Sequence, residues 1–164
     1  MHHGSEALMA KATVTGDKEL LNNLNAMARA FTGGVMDSVC KQAMAPLEAE
    51  TKARARALRQ PGPAPRGGHL DQGVAVAKQS VGGKRRVFWV GFKGRARKIA
   101  HLVEFGTKPH WQPKWRGGWM HPGARAKPFM RSAFEAKKRE VLDVFAKLCG
   151  QVIAGSFKPV GRRK

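Results

Sequence analysis

The chain has 164 residues, 42% of them hydrophobic, which is enough for one packed core and too much for wholesale disorder. Lys plus Arg number 31 against 11 acids, a net charge of +20, so the folded surface repels itself unless it works beside a polyanion or an acidic protein. Nucleic acid is the first candidate. No run of about 18 apolar residues offers a membrane-spanning helix.

Residues 1–16 read as an N-terminal arm, with Ala12-Thr13-Val14-Thr15 suited to a short strand. Its start, MHHGSEALMA, lacks the basic-then-apolar pattern of a secretory signal, and two cysteines read as free thiols fit assembly in a reducing cytoplasm. Asp17 suits the cap of a helix from Lys18, in which Leu20, Leu21, Leu24, Met27, Ala28 and Phe31 recur at helical spacing. Gly33-Gly34 breaks it. A second helix is expected over 35–59, its buried stripe being Val35, Met36, Val39, Cys40, Ala43, Met44 and Leu47, with Pro46 marking a kink or joint.

Gln60 to Gly68 holds three Pro and three Gly and separates a helical half from a β half. Residues 70–81 read as a half-buried strand, Gly82-Gly83 as a tight turn, and Lys84 to Lys93 as the returning strand. Val87-Phe88-Trp89-Val90-Gly91-Phe92 is apolar on both faces, which predicts a helix over one face and a neighbouring subunit over the other. Next comes a short helix in which Leu102, Val103 and Phe105 cover one side. It stops on Gly106, where a positive φ costs little, and Pro109 blocks its continuation. The stretch from Lys108 to Met120 is expected to be an irregular loop.

Pro128 has the fixed φ of a first helical position and opens a last helix over about 129–154. Met130, Ala133, Phe134, Val141, Phe145, Leu148 and Val152 trace its packed face. Residues 158–164 form a basic C-terminal tail. The expectation is one α+β domain over 1–164: two N-terminal helices, a β hairpin or small antiparallel sheet, a short helix and a long C-terminal helix. Cys40 and Cys149 each fall in an apolar helical pattern and read as buried free thiols.

Catalytic chemistry is hard to assemble from these residues. Glu104 sits near the negative end of its helix, so it should accept hydrogen bonds or pair with an Arg and fix the turn. Asp71, Asp143, Glu135 and Glu140 read as isolated surface acids. His101, His110 and His121 have no metal-ligand spacing, and no Gly-x-Ser-x-Gly accompanies them. No catalytic residue, metal or cofactor is expected. Basic residues are more telling: Lys84, Arg85, Arg86, Arg95, Arg97 and Lys98 are candidates to face DNA phosphates without reading sequence, or to sit in a subunit interface. Trp111, Trp115 and Trp119, at four-residue spacing, could stack on bases but better fit anchors of a protein interface.

The string HLVEFGT, a loop, and HPGARAKPFMRSAF carry a resemblance. Glu104-Phe105-Gly106-Thr107 with Pro122-Gly123 and Pro128-Phe129 resembles a family of tail-completion or neck (head–tail joining) proteins of long-tailed bacteriophages. Where that family often has an aromatic before the Val-Glu-Phe-Gly step, this chain has Ile99-Ala100-His101-Leu102. The resemblance implies a structural virion protein at the head–tail junction, assembled from identical copies as a ring around the DNA path. Sixfold symmetry, contacts with other neck and tail proteins, genomic DNA in the lumen and no membrane go with it. The expectation of another class is a small basic nucleic-acid-processing enzyme, ribonuclease-like, using His101, Glu104 or His121; it requires an acid and a base to meet in one cleft.

Overall fold

The computed structural model describes residues 17–31, 33–62, 68–82, 85–113 and 117–156. The expected arm and its short strand, the basic tail, Lys84 and Trp115 lie outside them. The chain is α+β. Its elements in order are α1 (Asp17–Ala30), α2 (Gly34–Ala43), α3 (Ala45–Ala57), a 3-10 turn (Leu70–Gly73), β1 (Val74–Val81), β2 (Arg85–Phe92), α4 (Ala96–Phe105), β3 (His110–Gln112), β4 (Trp119–His121) and α5 (Phe129–Ser156).

α5 is the spine. Its 28 residues run about 42 Å at 1.5 Å per residue, and α1, α2 and α3 all pack on it. The expected second helix is jointed at Met44, with Pro46 at the start of α3, where the missing N–H does no harm. Buried positions Val39, Ala43, Leu47, Ala55 and Ala133 include three alanines, and Thr51 is buried with its hydroxyl donating to the Leu47 carbonyl (2.7 Å). Such small side chains let the α3 and α5 backbones approach closely.

Two expected faces turn differently. On α1, Met27, Ala30 and Phe31 are half-buried, but Leu20, Leu21 and Leu24 are exposed. On α5, Phe129 and Ala133 set the packed side of the first turns, the Phe129 ring meeting Phe92 edge-on at 5.9 Å. Phe134 lies about 100° further round and is exposed rather than buried. Farther along, Val141, Phe145, Leu148 and Val152 are half-buried on the expected face.

β1 and β2 pair antiparallel, from Val74 opposite Phe92 to Val81 opposite Arg85. Alternation puts Val74, Val76, Lys78, Phe88, Val90 and Phe92 on one face. This face meets the helices: Asp37 of α2 takes Lys78 at 2.7 Å and Arg86 at 3.2 Å, and Arg86 also donates to the Gly33 carbonyl. The other face carries Val81, Val87 and Trp89, all exposed.

α4 differs from its expected packing. Its buried face is Ala96, Ala100 and Glu104, four residues apart, with Ile99 and Val103 half-buried; Leu102 and Phe105 point outward. Small residues at this spacing seat a short helix close to its neighbours and carry Glu104 inward with them. The segment expected to be irregular contains the β3–β4 hairpin, in which His110 pairs with His121 and Gln112 with Trp119.

Candidate functional site

The junction between α4 and α5 collects the motif residues. Glu104 is 6% exposed, and its two oxygens accept the backbone N–H groups of Met130 (2.8 Å) and Arg131 (3.0 Å). Those N–H groups belong to the first turn of α5, which has no earlier carbonyls to bond, and the positive end of the helix dipole favours the carboxylate. Glu104 thus caps a helix 26 residues away, accepting from backbone N–H groups rather than from an Arg side chain.

Gly106 follows with φ 73° and ψ −177°, a conformation open to little but glycine. A Cβ there would stand 2.5 Å from the Ala124 carbonyl oxygen and 2.7 Å from the Ala126 nitrogen. Thr107 and Ala124 then exchange both backbone hydrogen bonds (2.9 and 3.0 Å), and the Lys127 N–H donates to the Val103 carbonyl (2.8 Å). Gly123, with φ 85°, lies flat against Thr107 and Pro109, and its N–H donates to His121 Nδ1 at 2.9 Å. Pro122 and Pro128 are exposed; Pro128 stands one residue before the helix rather than in it, and its carbonyl accepts the Ser132 hydroxyl. Phe105 is 69% exposed. The two separated motif stretches are therefore one backbone clasp, with β3–β4 projecting from it.

The candidate basic residues divide. Arg86 is committed to Asp37 and Gly33. Arg85 lies exposed at one end of β2, while Arg95, Arg97 and Lys98 are exposed beyond the other end, about 23 Å of strand away. Arg54 pairs with Glu50. Asp71, expected at the surface, is 4% exposed and takes a two-pronged pair from Arg59, Nε to Oδ1 at 2.9 Å and Nη2 to Oδ2 at 2.6 Å, with Arg56 at 3.7 Å. Arg59's hydrogen bonds, opposed by burial, hold the Asp71 carboxyl below its ordinary value of 3.8. No pattern in the sequence links these two, because a Pro/Gly loop separates them.

Trp111 and Trp119 occupy opposite faces of their hairpin and form no shared platform. Trp111 and Met120 are exposed on one side. On the other, His110 stacks on His121 (centroids 5.0 Å apart, planes at 23°) and Trp119 meets His121 edge-on at 5.3 Å. This side faces a cleft of about 710 Å³ between the end of α3, the 3-10 turn, α4 and the hairpin. Leu58, Leu70, Ile99, Leu102 and Val103 are among its apolar walls; Arg59, Gln60, His69, Thr107, His110, Gln112, His121, Arg125 and Lys127 contribute polar groups. His101 and Glu104 are not among its walls, so the residues proposed for acid–base work do not converge. Sequence reasoning missed the His110–His121 pair; its only signal is the glycine pair Gly117-Gly118 in the loop between them. Among the described residues no group of three His, Cys, Asp or Glu side chains could hold a metal, and no helix is long and apolar enough to cross a membrane.

Compared with known proteins, the chain matches no family model, no curated protein and no solved structure.

Proposed function

We propose that the chain is a structural virion protein of the phage neck, completing the tail and joining it to the head as a ring of identical copies around the DNA. The observation that carries this reading is the clasp. Glu104 to Thr107 and Pro122 to Phe129, the stretches that bear the family resemblance, close on each other through a buried helix cap and a two-bond backbone bridge. Residues that look like a motif in sequence behave as a unit in space. The chemistry is assembly rather than turnover: the clasp fixes the angle between α4 and α5 and holds β3–β4 out as a contact arm. The +20 charge supplies phosphate contacts that form and break without register, which suits DNA sliding past. Neighbouring neck and tail proteins are the other partners.

Immunogold electron microscopy of virions carrying this chain tests the reading. Label at the head–tail junction is the expected result; virions free of the protein would overturn it. A second reading, a nucleic-acid-processing enzyme, is favoured by one observation, the placing of His110 and His121 with Arg125 and Lys127 around a single cleft. RNA or DNA turnover by purified protein, lost in the His110→Ala/His121→Ala variant with its melting temperature unchanged, would establish that reading in place of the first.

A further inference from the structure

The cleft beside the β3–β4 hairpin has two kinds of wall. Its volume, about 710 Å³, is that of a ligand site. Helical elements supply aliphatic side chains: Leu58 and Leu70 from the end of α3 and the 3-10 turn, and Ile99, Leu102 and Val103 from α4. The hairpin and the chain leaving it supply His110, Gln112, His121, Arg125 and Lys127. Among the described residues no Asp or Glu lines it.

Its positive charge has nothing nearby in the chain to neutralise it. Between Thr51 and Phe134, the stretch that supplies every wall residue, the only acids are Asp71 and Glu104. Both are buried and spent, Asp71 on Arg59 and Glu104 on the first turn of α5. Arg125 and Lys127 are exposed, and among the described residues neither is in an ion pair. Their backbone is nonetheless fixed: the Lys127 N–H donates to the Val103 carbonyl, and Ala124, next to Arg125, exchanges two hydrogen bonds with Thr107. Anchored cations beside an aliphatic wall select an occupant that is anionic on one side and aliphatic on the other.

Nucleic acid meets half of that requirement. Phosphates suit Arg125 and Lys127, but bases stack on open aromatic faces. His110 and His121 spend a face on each other, Trp119 meets His121 edge-on, and neither Trp111 nor Trp119 is among the walls. An extended peptide meets both halves, because its alternate side chains leave on opposite sides.

We propose that the cleft binds a short extended segment of an acidic partner protein in which Asp or Glu alternates with aliphatic residues. The acids pair with Arg125 and Lys127, and the aliphatic side chains pack on Leu58, Ile99, Leu102 and Val103. This goes beyond the neck reading and does not rest on it.

Fluorescence anisotropy on the full chain tests it, with a short labelled peptide of alternating Leu and Glu as the probe. A chain of net charge +20 attracts any acidic peptide, so controls must locate the binding. Arg125→Ala/Lys127→Ala should weaken binding about tenfold. Leu102→Gln should weaken it several-fold. Arg97→Ala/Lys98→Ala removes the same charge from exposed positions outside the cleft and should leave binding unchanged. A peptide with Ser in place of each Leu should bind several-fold more weakly than the probe. All these positions are exposed, and circular dichroism checks that each variant is folded. Absence of binding, equal binding of the Ser peptide, or equal losses from the two charge-removing variants would each overturn the proposal. So would oligothymidylate or oleate that displaces the probe and binds more tightly than it does. The first of these two would turn the cleft over to nucleic acid, the second to a lipid acid. None of these results alters what immunogold labelling of virions says about the neck.

Discussion

The α4–α5 junction and the joint between α3 and the 3-10 turn each bury a carboxylate, by different means. Glu104 gives both oxygens to backbone N–H groups at a helix N-terminus. Asp71 gives both to one guanidinium, which is itself about one-third exposed. Backbone donors stay where the fold places them, so the Glu104 cap needs only its own side chain and the correct approach of two helices. A side-chain cation is replaceable, retains some water and can be assisted, as Arg56 assists here. The first region should therefore be brittle and the second forgiving.

The largest effect should come from Gly106→Val. The side chain would meet the Ala124 carbonyl and adopt a φ of 73°, so the clasp must open; we expect a loss of about 3 kcal/mol or more, read from urea or thermal unfolding. An unchanged melting temperature would deny that the junction organises the fold. Glu104→Ala comes next, leaving two N–H groups of α5 without their acceptor, at about 2 kcal/mol. Glu104→Gln keeps one acceptor and turns an NH2 group toward the other donor, at about 1 kcal/mol. Both should act on unfolding alone; a folded Glu104→Gln that had lost a catalytic turnover would favour the enzyme reading instead.

How legible these regions were follows from the range of their interactions. Gly106 announces itself, because a glycine after an apolar helical turn and before Pro109 marks a stop. The helix joint at Pro46 and the β1–β2 hairpin were legible for the same reason: proline geometry and period-2 alternation are local. Glu104 was recognisable as a hydrogen-bond acceptor near a turn, but not as the cap of α5, because its donors lie 26 and 27 residues downstream. Asp71 was misread as a surface acid since nothing near it in sequence names Arg59. The β3–β4 hairpin was missed because three-residue strands show no alternation; its pairing is held by the clasp below it and the His110–His121 stack above. Leu20, Leu21 and Leu24 follow helical spacing faithfully and are still exposed, since periodicity gives a helix a face but not the partner that covers it.

Asp71→Asn should cost less than Glu104→Ala, about 1–2 kcal/mol, because the amide still accepts one bond and the pair is partly open to water. It should also change the pH profile. Asp71 is depressed in the folded chain, so its contribution is complete above the ordinary carboxyl value of 3.8 and is lost as pH falls below it toward the folded value. Asp37, held down chiefly by its hydrogen bond from Lys78, adds loss of the same sign in the same window. The two separate by salt, which screens the more open Asp37 cluster more strongly. Wild type in high salt should thus keep an acid-sensitive limb below about pH 4 that Asp71→Asn flattens. Identical limbs in the two proteins would contradict the buried pair.

The smallest effect should come from Arg59→Lys, and it separates the two ways of burying a carboxylate most directly. Lysine replaces a planar fork with a point charge, so the Asp71 oxygens lose one of two directed bonds but keep an opposing charge, with Arg56 3.7 Å away as a second source. Asp71 then remains ionised and depressed. The acid limb should persist in Arg59→Lys, its melting temperature lying between those of wild type and Asp71→Asn. If Arg59→Lys instead flattened the limb as fully as Asp71→Asn, the geometry of the fork, rather than the presence of a cation, would be what holds the carboxylate. The α3 joint would then be as brittle as the Glu104 clasp, and the distinction between fixed backbone donors and exchangeable side-chain donors would fail for this chain.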